Sequence, residues 1–427
     1  MARLMKDSGI EWIGDIPDTW NTCRHKHVMH KEKNICDHYN GEDIISLTMN
    51  GVIIRDLDAG GKMPTTFDGY QYVEPEDLLL CLFDIDVTPR CVGLVRNYGL
   101  TSPAYSRFKV HNGFYNAYYD YLLRAIDDKK VFVHLAKNLR SSLTESDFGV
   151  LPTIAPPFKE QKSIVSFLDT ECSRIDSVVE QTRASIEEYK KLKQAVITQA
   201  VTKGIKPNRE MKDSGIDVIK YLPSDWYVYA IKHLCSQPIT DGTHLTPDYS
   251  DAENGSPFLS SKDISTGYID WKNIKYITKE LHVELQKRIA PQFEDILLAK
   301  NGTTGIAAIV ESNKTFDVYV TIAVIRVNKQ RVLPKFLLYS INSLLCKHQF
   351  DEHLKGIGVP NLHLGTINNT KVFLPSIEEQ KLIVLYLDEK ISKLDLLIKK
   401  KTLLLDTLES YKKSLIFEYV TGKKEVI

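Results

Sequence analysis

The sequence predicts an α/β (α+β) fold arranged as a pseudo-twofold tandem repeat. Two strand-rich mixed domains are separated by two long antiparallel coiled-coil helices. Three observations predict this. Glu160-Gln161-Lys162 recurs as Glu379-Gln380-Lys381, and the two stretches stay aligned without a gap to Val201-Thr202 and Val420-Thr421. Met5-Lys6-Asp7-Ser8-Gly9-Ile10 recurs as Met211-Lys212-Asp213-Ser214-Gly215-Ile216, with Ile13, Pro17 and Trp20 matched by Ile219, Pro223 and Trp226. The aligned stretches carry apolar residues at heptad intervals, while the segments before them hold short β-branched runs. Duplication on this scale is a property of the whole architecture. The boundaries that follow are 1–157 for the first domain, 158–203 for the central helix, 204–376 for the second domain and 377–427 for the C-terminal helix.

Taken in order, each copy has an opening motif, a middle and a long helix. In the middles, residues 43–47, 78–83, 91–95, 296–299, 306–310 and 318–327 read as strands, punctuated by Gly, Asn, Asp and Pro. Glu76-Asp77-Leu78-Leu79-Leu80 and Glu294-Asp295-Ile296-Leu297-Leu298 are one shared strand. Residues 116–125 and 334–350 read as helical, and 151–158 and 202–210 as linkers. Ser376 with Glu379 predicts a capping box at the C-terminal helix.

The long helices predict a buried seam. Leu387, Leu394, Leu408 and Leu415 fall at heptad intervals, with Leu397, Leu404 and Tyr411 between them. The central helix offers Leu168, Ile175, Tyr189 and Val196, with Val178 and Leu192 as the second series. Polar Thr182 and Lys401 interrupt matching positions. A lone helix would leave such a stripe in water, whereas two copies can cover each other. About 40 residues at 1.5 Å each make a rod of roughly 60 Å, which is a spacer length.

At 427 residues two or more domains are expected. The formal charge of +0 argues against a protein that holds nucleic acid alone by bulk electrostatics; either it binds none, or it binds locally with partners supplying the remaining charge. The N-terminal residues lack the apolar core of a signal peptide, and no run of 18 apolar residues occurs. The seven cysteines are odd in number, scattered and without CxxC, which fits a reducing cytoplasm.

Candidate chemistry is sparse. Ala155-Pro156-Pro157-Phe158 looks like the Pro-Pro-aromatic motif of amino methyltransferases, but Ala155 cannot accept a hydrogen bond from a target amine. The Glu-x-Lys triplets at 160 and 379 fit half of a nuclease motif, yet they sit at helix starts. Cys23, His25, His27 and His30 are dense enough to suggest a metal, and Asp84 and Asp86 could hold a divalent ion; a surface strand and a turn are the plainer readings. No GxxxxGK(S/T) loop occurs, so no ATP site is signalled; no Ser/His/Asp or Cys/His set can be assembled from the spacing, and no catalytic residues or metal site are assigned. Binding chemistry remains. Asn50, Arg55, Lys62, Arg90, Arg96, Tyr105 and Arg107 in the first middle suit base edges and phosphates. So do Thr243, His244, Lys262, Lys300, Asn301, Thr303, Asn361 and His363 in the second.

The ordered set of motifs resembles the specificity subunit of type I restriction–modification enzymes. The carrying stretches are KDSGIEWIGDIPDTW and KDSGIDVIKYLPSDW, PPFKEQKSIVSFLD and PSIEEQKLIVLYLD, and the AVTKG and YVTGK helix ends. DGTHLTP, EDILLAKNGTTG, GLTSPAY and GVPNLHLG look like the family's target-recognition segments. The resemblance implies two target-recognition domains, each reading one half of a split sequence in double-stranded DNA. It implies assembly with two modification (methyltransferase) subunits and with restriction (motor-nuclease) subunits. S-adenosylmethionine, ATP and Mg2+ would belong to those partners, leaving this chain without a cofactor or catalysis of its own. A standalone methyltransferase or nuclease would need a cofactor loop that is absent from the sequence. A scaffold whose middles bind protein would leave DNA preference unchanged when they are swapped.

Overall fold

The computed structural model describes residues 3–49, 51–59, 64–88, 90–136, 141–354 and 361–426. The chain forms two units: Met1–Arg183 with Leu403–Ile427, and Ala184–Thr402.

In the first unit the opening hairpin pairs Met5–Asp7 with Asp15–Pro17. Its turn explains the recurring hexapeptide. Asp7 Oδ1 accepts from the Gly9 amide at 2.9 Å and Ser8 Oγ from the Ile10 amide at 3.1 Å. Gly9 sits at φ +69°, where a side chain would be strained. The second unit repeats the turn: Asp213 accepts from Gly215 at 2.7 Å, Ser214 from Ile216 at 3.0 Å, and Gly215 has φ +68°.

Each middle is built on an antiparallel four-stranded sheet. In the first unit the order is Met29–Lys31, Ser106–Val110, Leu78–Leu80, Val92–Leu94. The helix Asn116–Asp128 covers it, burying Tyr118, Tyr119, Leu122, Leu123 and Ile126. The second unit has the same order in Thr240–Asp241, Ile322–Ile325, Ile296–Ala299, Ala307–Ile309, and adds a second four-stranded sheet. The shared strand starts alike in both: Glu76 and Glu294 lie at φ +77° and +69°, and Asp77 and Asp295 take Arg107 and Arg326 at 2.6 Å.

Several expectations are corrected. Residues 318–327 are not one strand. Asp317–Val318 pairs with Phe258-Leu259 in one sheet, the chain bends, and Ile322–Ile325 joins the other. Residues 334–350 are two helices, Pro334–Ile341 and Leu344–His353. They break where the Asn342 side chain turns aside to bond both the amide and the carbonyl of Ala307. Pro152–Ala155, read as linker, is a strand against Asn21–Arg24, mirrored by Lys371–Leu374 against Tyr227–Ala230. The capping box is half made. Ser376 Oγ accepts from the Glu379 amide, but the Glu379 carboxylate turns instead to Trp226 and Arg209.

The long helices are Phe158–Lys203 and Ile377–Val420. Within the first unit Leu168, Ile175 and Val179 share a buried cluster with Leu415, Ile416 and Val420, and the Phe167 and Tyr419 rings lie 4.3 Å apart. Within the second, Ile197, Ala200 and Val201 share one with Ile383, Leu387, Ile391 and Leu394. In each unit residue numbers rise along one helix as they fall along the other, so the paired segments are antiparallel. Lys412 donates to Asp176 at 2.6 Å, and Lys193 donates to Asp395 at 2.7 Å. These are equivalent residues with the two helices' roles exchanged, the signature of a self-complementary contact. Of the expected seam, Tyr189, Val196 and Leu408 are half-buried, whereas Leu192, Leu397, Leu404 and Tyr411 are exposed. Ile164, Val165, Ile383 and Ile391 are buried against their own domains. Thr182 is buried, and the Lys401 ammonium lies 5.9 Å from the Tyr189 ring centre.

Candidate nucleic-acid interface

The motif that opens each long helix is a clamp. Trp20 and Trp226, both fully buried, donate their indole N–H to Glu160 (2.9 Å) and Glu379 (3.1 Å). Arg3 and Arg209 pair with the same carboxylates and lie over the same indole rings. Gln161 donates to the Pro156 carbonyl and accepts from the Tyr115 amide, both at 2.8 Å. Gln380 does the same with Pro375 at 3.0 Å and the Leu333 amide at 2.8 Å. Asp169 and Asp388 then accept the hydroxyls of Tyr121 and Tyr339. Glu, Gln and Asp at this spacing thus fasten each domain to its helix, and Pro156 serves as a hydrogen-bond acceptor at the helix start.

The dense His segment diverges. His25 is buried against Phe148, and His30 stacks on His111 at 4.8 Å. Among the described residues no three His, Cys, Asp or Glu side chains are grouped to hold a metal ion. Asp84 lies in a turn, its carbonyl accepting from the Thr88 amide and hydroxyl.

In the first domain, Asn50 and Lys62 lie outside the described residues. Arg96 is exposed, and Arg55 is half-buried. Arg90 is tied to the Met49 carbonyl at 2.8 Å and the Val92 carbonyl at 3.1 Å. Tyr105 stacks against exposed Phe83 at 6.4 Å. Arg107 is buried, with Asp77, Glu32 and Glu74 around its guanidinium, so its cation is spent inside the fold.

The second domain gathers its candidates. A cleft of about 590 Å³ is lined by His244, Lys300, Asn301, Asn361 and His363, together with Asp241, Val320, Leu364 and Gly365. Lys300 follows directly on the strand Ile296–Ala299, and its carbonyl accepts from the Leu362 amide at 2.8 Å. Asn301 and Asn361 face each other across an antiparallel bridge, which brings two distant loops to one wall. Gly302, at φ +73°, lets the chain turn away after Asn301. Gly242 is required by close approach: a Cβ there would lie 1.8 Å from the Val318 carbonyl oxygen. Thr243 is buried beside the cleft, its hydroxyl accepting from the Leu245 amide. Lys262 and Thr303 are exposed and do not line it.

At the back of the cleft lies Asp241, which the sequence reading did not single out. Lys300 Nζ donates to its Oδ2 at 2.5 Å, and His244 Nε2 and Arg288 Nη2 lie 3.3 and 3.4 Å from its Oδ1. Burial opposes the Asp241 charge, but the hydrogen bonds and charges of Lys300 and His244 outweigh it and hold the carboxyl below its usual pKa. The only sequence signal was its place beside Gly242 in the loop-forming Asp-Gly pair.

The fold defines a class: a tandem of mixed domains, each clamped to a long helix, with a polar cleft at the loop end of one sheet. Residues 223–405 match the type I restriction modification DNA specificity domain. The chain is 28% identical over 340 residues to the Escherichia coli type I restriction enzyme EcoBI specificity subunit, covering 76% of this chain and 68% of that one. It is 26% identical over 277 residues to the Methanocaldococcus jannaschii MjaVIII specificity subunit, covering 64% of this chain and 61% of that one. The match thus spans about three fifths of the MjaVIII subunit's length. A solved chain from work on complex assembly and conformational transition of the type I R-M system shares the fold at a TM-score of 0.69 and 15% identity. That likeness covers 96% of this chain and 99% of the other. The chain is thus similar, over much of its length, to type I restriction enzyme specificity subunits. Among the described residues no helix is long and apolar enough to cross a membrane.

Proposed function

We propose that this chain is the DNA-reading subunit of a type I restriction–modification complex, acting in the cytoplasm on double-stranded DNA. Each domain reads one half of a bipartite target. The two long helices set the gap between the half-sites, and their outer faces and ends dock two modification subunits and the restriction subunits. Methyl transfer, ATP hydrolysis and cleavage reside in those partners, with their S-adenosylmethionine, ATP and Mg2+. The observation that carries this reading is the second domain's cleft, where five donors and acceptors from three separate loops line one opening. Asn amides, a lysine and imidazoles are the groups that read base edges.

The first domain contributes Arg55, Arg90, Arg96 and Tyr105; the second contributes Thr243, His244, Lys262, Lys300, Asn301, Thr303, Asn361 and His363. Replacing residues 21–150 with the corresponding part of another such domain is expected to change one half of the methylated sequence. Replacing 227–372 is expected to change the other. Sequencing methylated DNA from cells that express the chain with its modification subunit reads both outcomes. A target unchanged by either exchange would favour a scaffold that binds only protein.

A further inference from the structure

Lysine usually serves DNA binding as a mobile point charge for phosphate. Lys300 is built differently. It and Asp241 are 6% and 4% exposed, and both backbones are fixed, Lys300 N to the Thr321 carbonyl and Asp241 in register with Ala323. The ammonium has three donors, of which one is taken by Asp241 Oδ2. The carboxylate also cancels the ammonium's charge, so the pair offers little net attraction to a phosphate. What remains is two N–H donors held in fixed directions at the wall of a cleft. Beside them stand Asn301, Asn361 and His363. Two oriented donors complement a base edge with two adjacent acceptors, the O6 and N7 of guanine.

We propose that Lys300 selects a guanine in the half-site read by the second domain, and that Asp241 is the positioning residue that makes it selective. The inference rests on the DNA-reading function proposed above.

The test uses the full chain assembled with its modification subunit, in wild-type form and as Lys300→Met, Asp241→Asn and the double variant. Bound duplexes are selected from a randomised pool, and affinity is measured across salt concentrations. Lys300→Met is expected to lower the preference for guanine at one position by roughly tenfold to a hundredfold. In the double variant the salt slope should stay unchanged, because the ammonium and the carboxylate that cancels it leave together. Asp241→Asn frees the charge, so the slope should steepen by about one phosphate contact while the preference weakens. The double variant removes both charges; it is expected to melt like the wild type and still lack the preference. Two results overturn the proposal. One is a Lys300→Met complex that keeps the guanine. The other is a double variant that loses affinity for all sequences alike with a shallower slope, which marks a phosphate clamp. A wild-type complex that selects no sequence would instead overturn the DNA-reading function, and this inference with it.

Discussion

His25 shows what one side chain's surroundings decide. Its ring packs against Phe148 at 4.5 Å, and its Nδ1 is buried without a hydrogen-bond partner among the described residues. Burial disfavours the imidazolium and lowers the pKa from 6.5 to about 4. The folded state therefore holds the neutral ring, and the sign follows. Stability from this site is intact above pH 6.5 and is lost as pH falls toward about 4. We expect His25→Leu to flatten the fall in melting temperature between about pH 7 and pH 5; an identical fall in the variant would place the titration elsewhere. The same residue marks a limit of reading sequence. Cys23, His25, His27 and His30 are close along the chain, which gives density but no direction, and the strand and turn send them to different neighbours. Arg107 taught the same lesson, since its strand turns the guanidinium inward to Asp77. Asp241 went unmarked because a carboxylate reads as repulsive to DNA until its lysine is placed beside it.

Among the elements, the two long helices were the most legible. Their repeat, their length and the polar breaks at Thr182 and Lys401 stand in the sequence. Which apolar residues would be buried was less legible, because two surfaces compete for each helix. The opposite helix takes one face, and the domain's own sheet and covering helix take another, so the buried set is wider than a heptad seam. Leu387 is fully buried, while Leu397, at a predicted seam position, is 40% exposed. Leu387→Ala is expected to cost about 2–5 kcal/mol, and Leu397→Ala about 1 kcal/mol or less. Equilibrium denaturation measures both, and equal losses would show that the seam dominates after all. The Lys193–Asp395 and Lys412–Asp176 pairs are partly exposed and add little stability of their own. Their value is in register, because each charge meets its opposite only at one offset of the two helices. The strands were legible as runs of β-branched residues, but the bend after Val318 was not. It arises from pairing with two sheets, which no local pattern records.

For the molecule as a whole, duplication was plain in the sequence, and the sequence separated the shared framework from the divergent middles. The framework residues, Trp20 and Trp226, Glu160 and Glu379, Gln161 and Gln380, proved to be fastening points rather than chemistry. The middles share their sheet order, yet where the second offers Lys300 and Asn301 after the common strand, the first offers Leu82 and Phe83. One framework thus carries two differently equipped strand ends.

The division of the chain also sets an order of events. The second unit is continuous, Ala184–Thr402, whereas the first needs Leu403–Ile427 in addition to Met1–Arg183. Leu415, Ile416 and Val420 belong to the first unit's core, and the Val420 carbonyl accepts the buried Tyr118 hydroxyl at 2.6 Å. Gly422 closes against Pro17 and Trp20 so tightly that a Cβ would meet them at 2.5 and 2.9 Å. During synthesis the domain made later therefore has all its parts first, and the domain made earlier waits for Leu403–Ile427. A chain ending at Thr402 is expected to keep a protease-resistant second unit and to leave the first open to cleavage. Equal resistance of both would show that the earlier domain closes without its final turns. On the ribosome, the unit that begins first is the one that is completed last.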